Sequence, residues 1–241
     1  MPFTFSHPAI VLPLAKYFGR YISLTGLIIG SLIPDFEYFF RMKIQSNFSH
    51  TIGGLFYLNL PVGIIFAFIF HNLIRNTLYD NLPWEFRKRL EIFKACNWND
   101  YFRHCYLIVI ISVLVGAASH LLWDSFTHMN GYSVQIFSFL RETIKIAGHD
   151  IQFYKLLQHF STLIGGLYIA FTFYKLPTNE TSKQKTNLRY WFTSFAIVVL
   201  IVFIRLAFTT EKNIIGQLLV TTISAILIAL MILPTFTRKR I

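Results

Sequence analysis

Apolar residues gather in five stretches along the chain, at about residues 52–73, 105–123, 156–174, 190–210 and 213–234, each near the ~20 residues that a membrane-crossing helix needs. The pattern predicts an all-α polytopic integral membrane protein with about five transmembrane helices. The amino-terminal run MPFTFSHPAIVLPLAKYFGRYISLTGLIIGSLIPD behaves differently. Lys16 and Arg20 interrupt it, and the uncharged piece from Tyr21 to Ile33 has 13 residues, which suits an interfacial or re-entrant helix that dips into the membrane without crossing it. Pro34 ends that helix. No basic region precedes the apolar part and no small-residue cleavage pattern follows it, so the segment reads as retained rather than as a removable signal peptide.

Composition agrees with this pattern. The chain is 54% hydrophobic and only 14% charged, with a mean hydropathy of +0.52, which excludes both a disordered and an ordinary soluble protein. The net charge of +11 then points to cytoplasmic loops facing anionic lipid and needs no nucleic-acid partner. Five spans with the carboxyl-terminal Arg238, Lys239 and Arg240 inside put residues 74–103 and 175–189 inside as well. Those segments hold 13 of the 22 Lys and Arg residues, so the bias favours a cytoplasmic carboxyl terminus. Cys96 and Cys105 have no paired spacing, and neither a disulfide framework nor a cysteine zinc site is expected.

Acidic residues within apolar sequence are costly, and this chain has very few. Asp124 lies in SHLLWDSFTH at the end of the second stretch, with His120 four residues before it and His128 four after. Residues four apart stack on one helical face, so each histidine can share a ligand with Asp124, whereas the two histidines lie about 12 Å apart along a straight helix. Two arrangements resolve this: a helix that ends near Ser125, or two metal ions with Asp124 as the carboxylate between them. His7, Asp35, His50 and His159 also stand at segment ends, and five spans put all of them on the outer side with Asp124 and His128. Imidazole and carboxylate without cysteine suit zinc, manganese or iron. His71, His104 and His149 read as interfacial or loop residues, and Glu37 as a neighbour of Asp35 or a solvated group. The pairs Gly53-Gly54 and Gly165-Gly166 read as close helix contacts, since no phosphate-loop pattern accompanies them.

The blocks MPFTFSHPAIVLPL, GSLIPDFEYFFRM, FSHTIGGLF, SHLLWDSFTHMNG and YKLLQHFS resemble the DUF4184 family of bacterial membrane proteins over roughly the first three-quarters of the chain. More distantly, the order His, Asp, His, then H-x-x-x-D and another His is similar to the DUF457 type of membrane-bound metal-dependent hydrolase and to the zinc-dependent phospholipase C fold. That resemblance implies His7, Asp35, His50, His120, Asp124, His128 and His159 as metal ligands. It implies one or two ions, zinc first, rather than three. Met1 precedes His7, and His159 has Leu163 rather than an acid four residues on. The expectation is a membrane-bound metal-dependent hydrolase in a bacterial cytoplasmic membrane. It would act at the outer interface on a lipid-derived or amphiphilic ester or phosphoester, with Asp35 as general base or terminal ligand. The alternative is a non-catalytic membrane protein whose cluster is a structural or transport metal site or ties helices together. Residues 1–175 then form the metal-site domain, and residues 176–241 add two transmembrane helices without evident chemistry.

Overall fold

The computed structural model of the chain describes residues 3–179, 186–208 and 214–237; Met1, Lys183, Lys185 and the terminal Arg238, Lys239 and Arg240 lie outside the described residues. Among these the chain is helical almost throughout. Five helical stretches are long and apolar enough to cross a membrane: Ile52–Asn81, Trp98–Ile136, Phe153–Tyr174, Leu188–Ala207 and Ile215–Phe236. The protein is a multi-span helical membrane protein, as the hydropathy pattern predicts. The first of these helices outruns its apolar core and carries Arg75 and Asp80 in its last turns.

The chain divides into two compact units. The first comprises residues 1–35, 48–64 and 105–175, and the second residues 36–47, 65–104 and 176–241.

In the first unit, α1 (Pro8–Phe18) and α2 (Leu24–Leu32) form a hairpin. Pro8 occupies the first turn of α1, where its missing N–H costs nothing, and the Ser23 hydroxyl caps α2 by accepting from the Gly26 N–H. At 11 and 9 residues the helices are about 16 and 14 Å long, roughly half of a ~30 Å hydrocarbon core. Neither crosses. Instead α2 lies along the long helix whose residues 105–127 belong to this unit, labelled here by its full extent as α6 (Trp98–Thr127), following α3 (Phe36–Arg41), α4 (Ile52–Asn81) and α5 (Trp84–Leu90). The Ser23 N–H donates to Ser112 Oγ at 2.8 Å, and the His120 imidazole reaches the Ser31 carbonyl, so the two helices run parallel. Their approach is closer than side chains allow. A Cβ at Gly30 would lie 2.2 Å from the Val113 carbonyl oxygen, and one at Gly116 2.4 Å from that of Leu27. The amino-terminal segment is thus a hairpin of two short helices. It returns the chain to the end from which it entered, so His7 before α1 and Asp35 after α2 meet there.

Pro61 removes a backbone donor from α4, and the turn before it, Leu55–Asn59, widens into a π-helical segment. That turn buries Asn59, whose Nδ2 donates to the Ser49 carbonyl at 2.8 Å. Beyond α6 the chain makes α7 (Tyr132–Ile136) and a hairpin of β1 (Thr143–Ile146) and β2 (His149–Gln152), turned by Ala147 and Gly148 at positive φ, before α8 (Phe153–Tyr174). Val134, Leu140 and Tyr154 pack there with Phe126, Phe153 and Leu157.

In the second unit, α9 (Leu188–Ala207) and α10 (Ile214–Thr237) pair, and the Ser224 hydroxyl of α10 donates to the Phe39 carbonyl of α3. Glu37 is buried rather than solvated: it pairs with Arg41 at 2.9 Å and accepts from Ser46 Oγ and the Asn47 N–H. His71 is likewise a packing residue, stacked on Trp98 at 4.4 Å and hydrogen-bonded to the buried Arg75 guanidinium. Arg75 in turn donates to the Phe93 and Cys96 carbonyls.

Candidate metal centre

Six of the seven anticipated ligands converge at one end of the first unit. His7 precedes α1, Asp35 closes the turn after α2, and His50 sits just ahead of α4. His120 and Asp124 stand one turn apart on α6, and His128 lies just past its end. Asp35, His50, His120 and Asp124 each offer one ligand atom, and these four atoms lie within 4.8 Å of one another. His50 Nε2 is 3.4 Å from Asp35 Oδ1 and 3.5 Å from Asp124 Oδ2. His120 Nε2 is 3.6 and 3.3 Å from the same two oxygens. Zinc–nitrogen and zinc–oxygen bonds of 2.0–2.1 Å in a tetrahedron put neighbouring ligands about 3.3–3.4 Å apart. Four of the six edges therefore match that figure within about 0.3 Å, without any ion being assumed.

The polarity of the site points the same way. His120 Nε2, Asp35 Oδ1, Asp124 Oδ1 and both ring nitrogens of His7 are buried without a hydrogen-bond partner among the described residues. Buried polar atoms are rarely left so. The opposite ring nitrogens are engaged: His120 Nδ1 donates to the Ser31 carbonyl at 2.7 Å, and His50 Nδ1 shares a hydrogen bond with Ser49 Oγ at 3.0 Å. Each imidazole thus presents Nε2 to the centre, the usual outer support of a metal-bound histidine. Thr4 Oγ1 donates to Asp35 Oδ2 at 2.5 Å, leaving Oδ1 to face the imidazoles. Burial disfavours the Asp35 carboxylate, but the His120 and His50 imidazoles outweigh it and hold Asp35 below the usual carboxylate range. For His50 burial is likewise outweighed, by hydrogen bonds to Asp124 and Asp35, and its pKa rises. His7, buried and stacked on the His120 ring at 3.8 Å, is pushed down to about 3, first by burial and then by His120. It is a neutral imidazole at any ordinary pH.

Asp124 uses its two oxygens differently. Oδ2 faces His50 and His120, while Oδ1 lies 3.7 Å from His7 Nε2 and 3.5 Å from His128 Nδ1. The helix ends at Thr127, two residues past Ser125, and His120 and His128 meet opposite oxygens of the one carboxylate. The seventh residue is not in the group: His159 lies exposed on α8. His149 is exposed on β2 and His104 on α6. Sequence reasoning did not single out Thr4, Ser31, Ser49 or Asn59, the polar groups that orient the ligands. Three are common hydroxyl residues, and Ser31 acts through its carbonyl, so no pattern of residue types marks them.

A family profile described as Domain of unknown function (DUF4184) matches residues 1–235, and the chain belongs to that family. No curated protein and no solved structure matches it.

Proposed function

We propose that this chain, as a member of the DUF4184 family, is a membrane-bound metal-dependent hydrolase of lipid-derived or amphiphilic esters or phosphoesters. The observation that carries the reading is the spacing of four ligand atoms from Asp35, His50, His120 and Asp124, which lie within 4.8 Å of one another with four of their separations at 3.3–3.6 Å. Those four close one metal position. His7 Nε2 and Asp124 Oδ1 would supply two donors for a second position, which leaves room there for water and a substrate oxygen. A divalent ion held there would supply a water of lowered pKa and a polarising charge for the substrate oxygen. Hydrolysis would add water across the ester linkage, which breaks to an acid and an alcohol. Nitrogen and oxygen donors without sulfur favour zinc, with manganese and iron next.

In this scheme the chain's own residues hold and orient. Ser31, Ser49 and Thr4 keep His120, His50 and Asp35 turned inward. Asp35 has both oxygens engaged, so the reading makes it a ligand rather than the general base. Asp124 ties the two positions together. The same geometry favours a second reading, a structural metal that fastens α2, α4 and α6, because four protein ligands leave the first position no open site. With the carboxyl terminus inside, as the Lys and Arg distribution favours, the cluster faces the outer surface of a bacterial cytoplasmic membrane.

Metal analysis of detergent-purified protein, prepared without chelators, tests the reading together with a screen of phosphoester and carboxylester lipids. One or two ions per chain and turnover abolished by chelation and by Asp124→Asn are expected. Bound zinc without any Asp124-dependent turnover would favour the structural reading, and no bound metal would overturn both.

A further inference from the structure

Beside the cluster, an apolar groove of about 400 Å³ runs between α1 and α8. His7 stands at its head, and Ile10, Trp123, Phe160, Ile164 and Tyr168 line it. From Leu157 to Tyr168 its wall follows α8 for 11 residues, about 16 Å at 1.5 Å per residue, or half the depth of a hydrocarbon core. The Ser6 and Ser161 hydroxyls along it already donate to the Phe3 and Gln158 carbonyls. Gly165 is also in the lining, where α8 approaches the turn before α1 so closely that a Cβ would lie 3.0 Å from the Ser6 carbonyl oxygen.

The residue that the groove shares with the cluster, His7, carries a further sign of a ligand. His7 is 2% exposed, yet neither of its ring nitrogens has a hydrogen-bond partner among the described residues. The Nδ1 atoms of His50, His120 and His128 all have one. The imidazole that joins cluster to groove is thus the one left unsupported.

We infer that this groove holds the hydrocarbon chain of an acyl lipid while the linkage next to its headgroup lies at the metal centre; the inference rests on the hydrolase reading of that centre. The groove opens along α8, one of the five helices long and apolar enough to cross a membrane, so a chain would move into it from surroundings as apolar as the groove itself. Entry therefore costs no desolvation of the chain, and the polar linkage alone is drawn toward the cluster. A water-soluble ester of the same headgroup lacks this positioning.

The test uses full-length protein in phosphatidylcholine vesicles doped with a diacyl phospholipid that bears a photoactivatable diazirine midway along one chain. Cross-linked residues are mapped by mass spectrometry. Labelling of Ile10, Ile164 and Tyr168 should exceed that of Phe192, Phe195 and Phe203, which are exposed on α9, by about tenfold, equivalent to 1.4 kcal/mol of preferential residence. Ile164→Trp, which fills the groove from α8, should remove the excess while bound metal stays at the wild-type level. Ile10→Trp fills it from the facing wall and replaces that variant if it does not fold. Uniform labelling of groove and α9 residues, or an excess that survives both substitutions, would overturn the inference. So would displacement of the probe by polyprenyl phosphate at concentrations where added phospholipid has no effect. Labelling does not require turnover, so a specific excess with no hydrolysis would leave the groove standing and remove the hydrolase.

Discussion

Replacing Asp124 by asparagine keeps the size of the side chain and removes the charge that serves both halves of the cluster. In the wild type the two carboxylate oxygens lie 3.3–3.7 Å from four imidazole nitrogens, so this one residue contacts every histidine in the group. Changes to outer-shell partners of a metal site cost 10–100-fold in affinity, and loss of a ligand shared by two positions should cost about 100-fold or more. Zinc at 100 times its dissociation constant stabilises a folded protein by about 2.7 kcal/mol. For a chain of this size that raises Tm by roughly 5–11 °C. A 100-fold loss brings the same zinc concentration down to the dissociation constant, where the gain is RT ln 2, about 0.4 kcal/mol, or about 1 °C. Thermal unfolding in detergent with and without zinc measures both numbers. Without metal, the Asp124→Asn variant leaves His50 and His120 with Asp35 as their remaining carboxylate, so the apo variant should be no more stable than the apo wild type. If zinc leaves the wild-type Tm unchanged while Asp124→Asn lowers it in the absence of metal, the cluster is an ion-paired packing element and the metal argument fails.

Three further outcomes follow from the same geometry. Gly30→Leu forces a side chain into the Val113 backbone, so it should displace α2 with Asp35 and cut bound metal at least tenfold, whereas Gly166→Leu, at a position with open space, should leave metal content unchanged. In a background lacking Cys96 and Cys105, cysteines placed at Phe5 and Lys145 should label from the same face of the membrane; opposite faces would require a sixth span and would break the hairpin reading. Zinc affinity should rise with pH: the carboxylates raise the pKa of His50 above 6.5, so its proton must leave on binding, while His7, held at about 3, has none to lose above pH 5. Calorimetry in two buffers of different ionisation enthalpy should show proton release on zinc binding at pH 6.5, and buffer-independent heats there would contradict the charge assignment.

What could be read from the sequence follows from the kind of order each feature obeys. The spans are one-dimensional facts, since an apolar run near 20 residues long satisfies its own backbone in lipid whatever surrounds it. The i, i+4 pairing of His120 with Asp124 is nearly as local, and so is the reach of His128 back to Asp124. Assembling His7, Asp35 and His50 around them depends on which helices touch, and residue type alone carries that only as a list of candidates. His159 shows the limit: it has the right chemistry at the right end of a span, but α8 leaves it exposed. Glu37 shows another, because two residues beyond Asp35 the chain has passed into α3 and the second unit, where Arg41 and Asn47 engage it.

The re-entrant hairpin explains why the cluster can exist at all. A polar residue on each side of a crossing helix would be separated by the thickness of the bilayer, and His7 and Asp35 stand on either side of just such an apolar segment. Splitting that segment into two short helices with a turn at Gly19–Ile22 folds it back, and Gly30 and Gly116 then let α2 lie against α6 closely enough for the Ser31 carbonyl to take the His120 N–H. That single hydrogen bond couples the hairpin to the His/Asp cluster, because it fixes both the position of α2 along α6 and the tautomer that His120 presents. Lys16 and Arg20, which break the hydropathy of the segment and so prevent a sixth span, are exposed near the turn. Hydrophobic replacements at both positions should therefore pull toward a crossing helix, and the loss would be read first in bound metal, since His7 and Asp35 would no longer share an end.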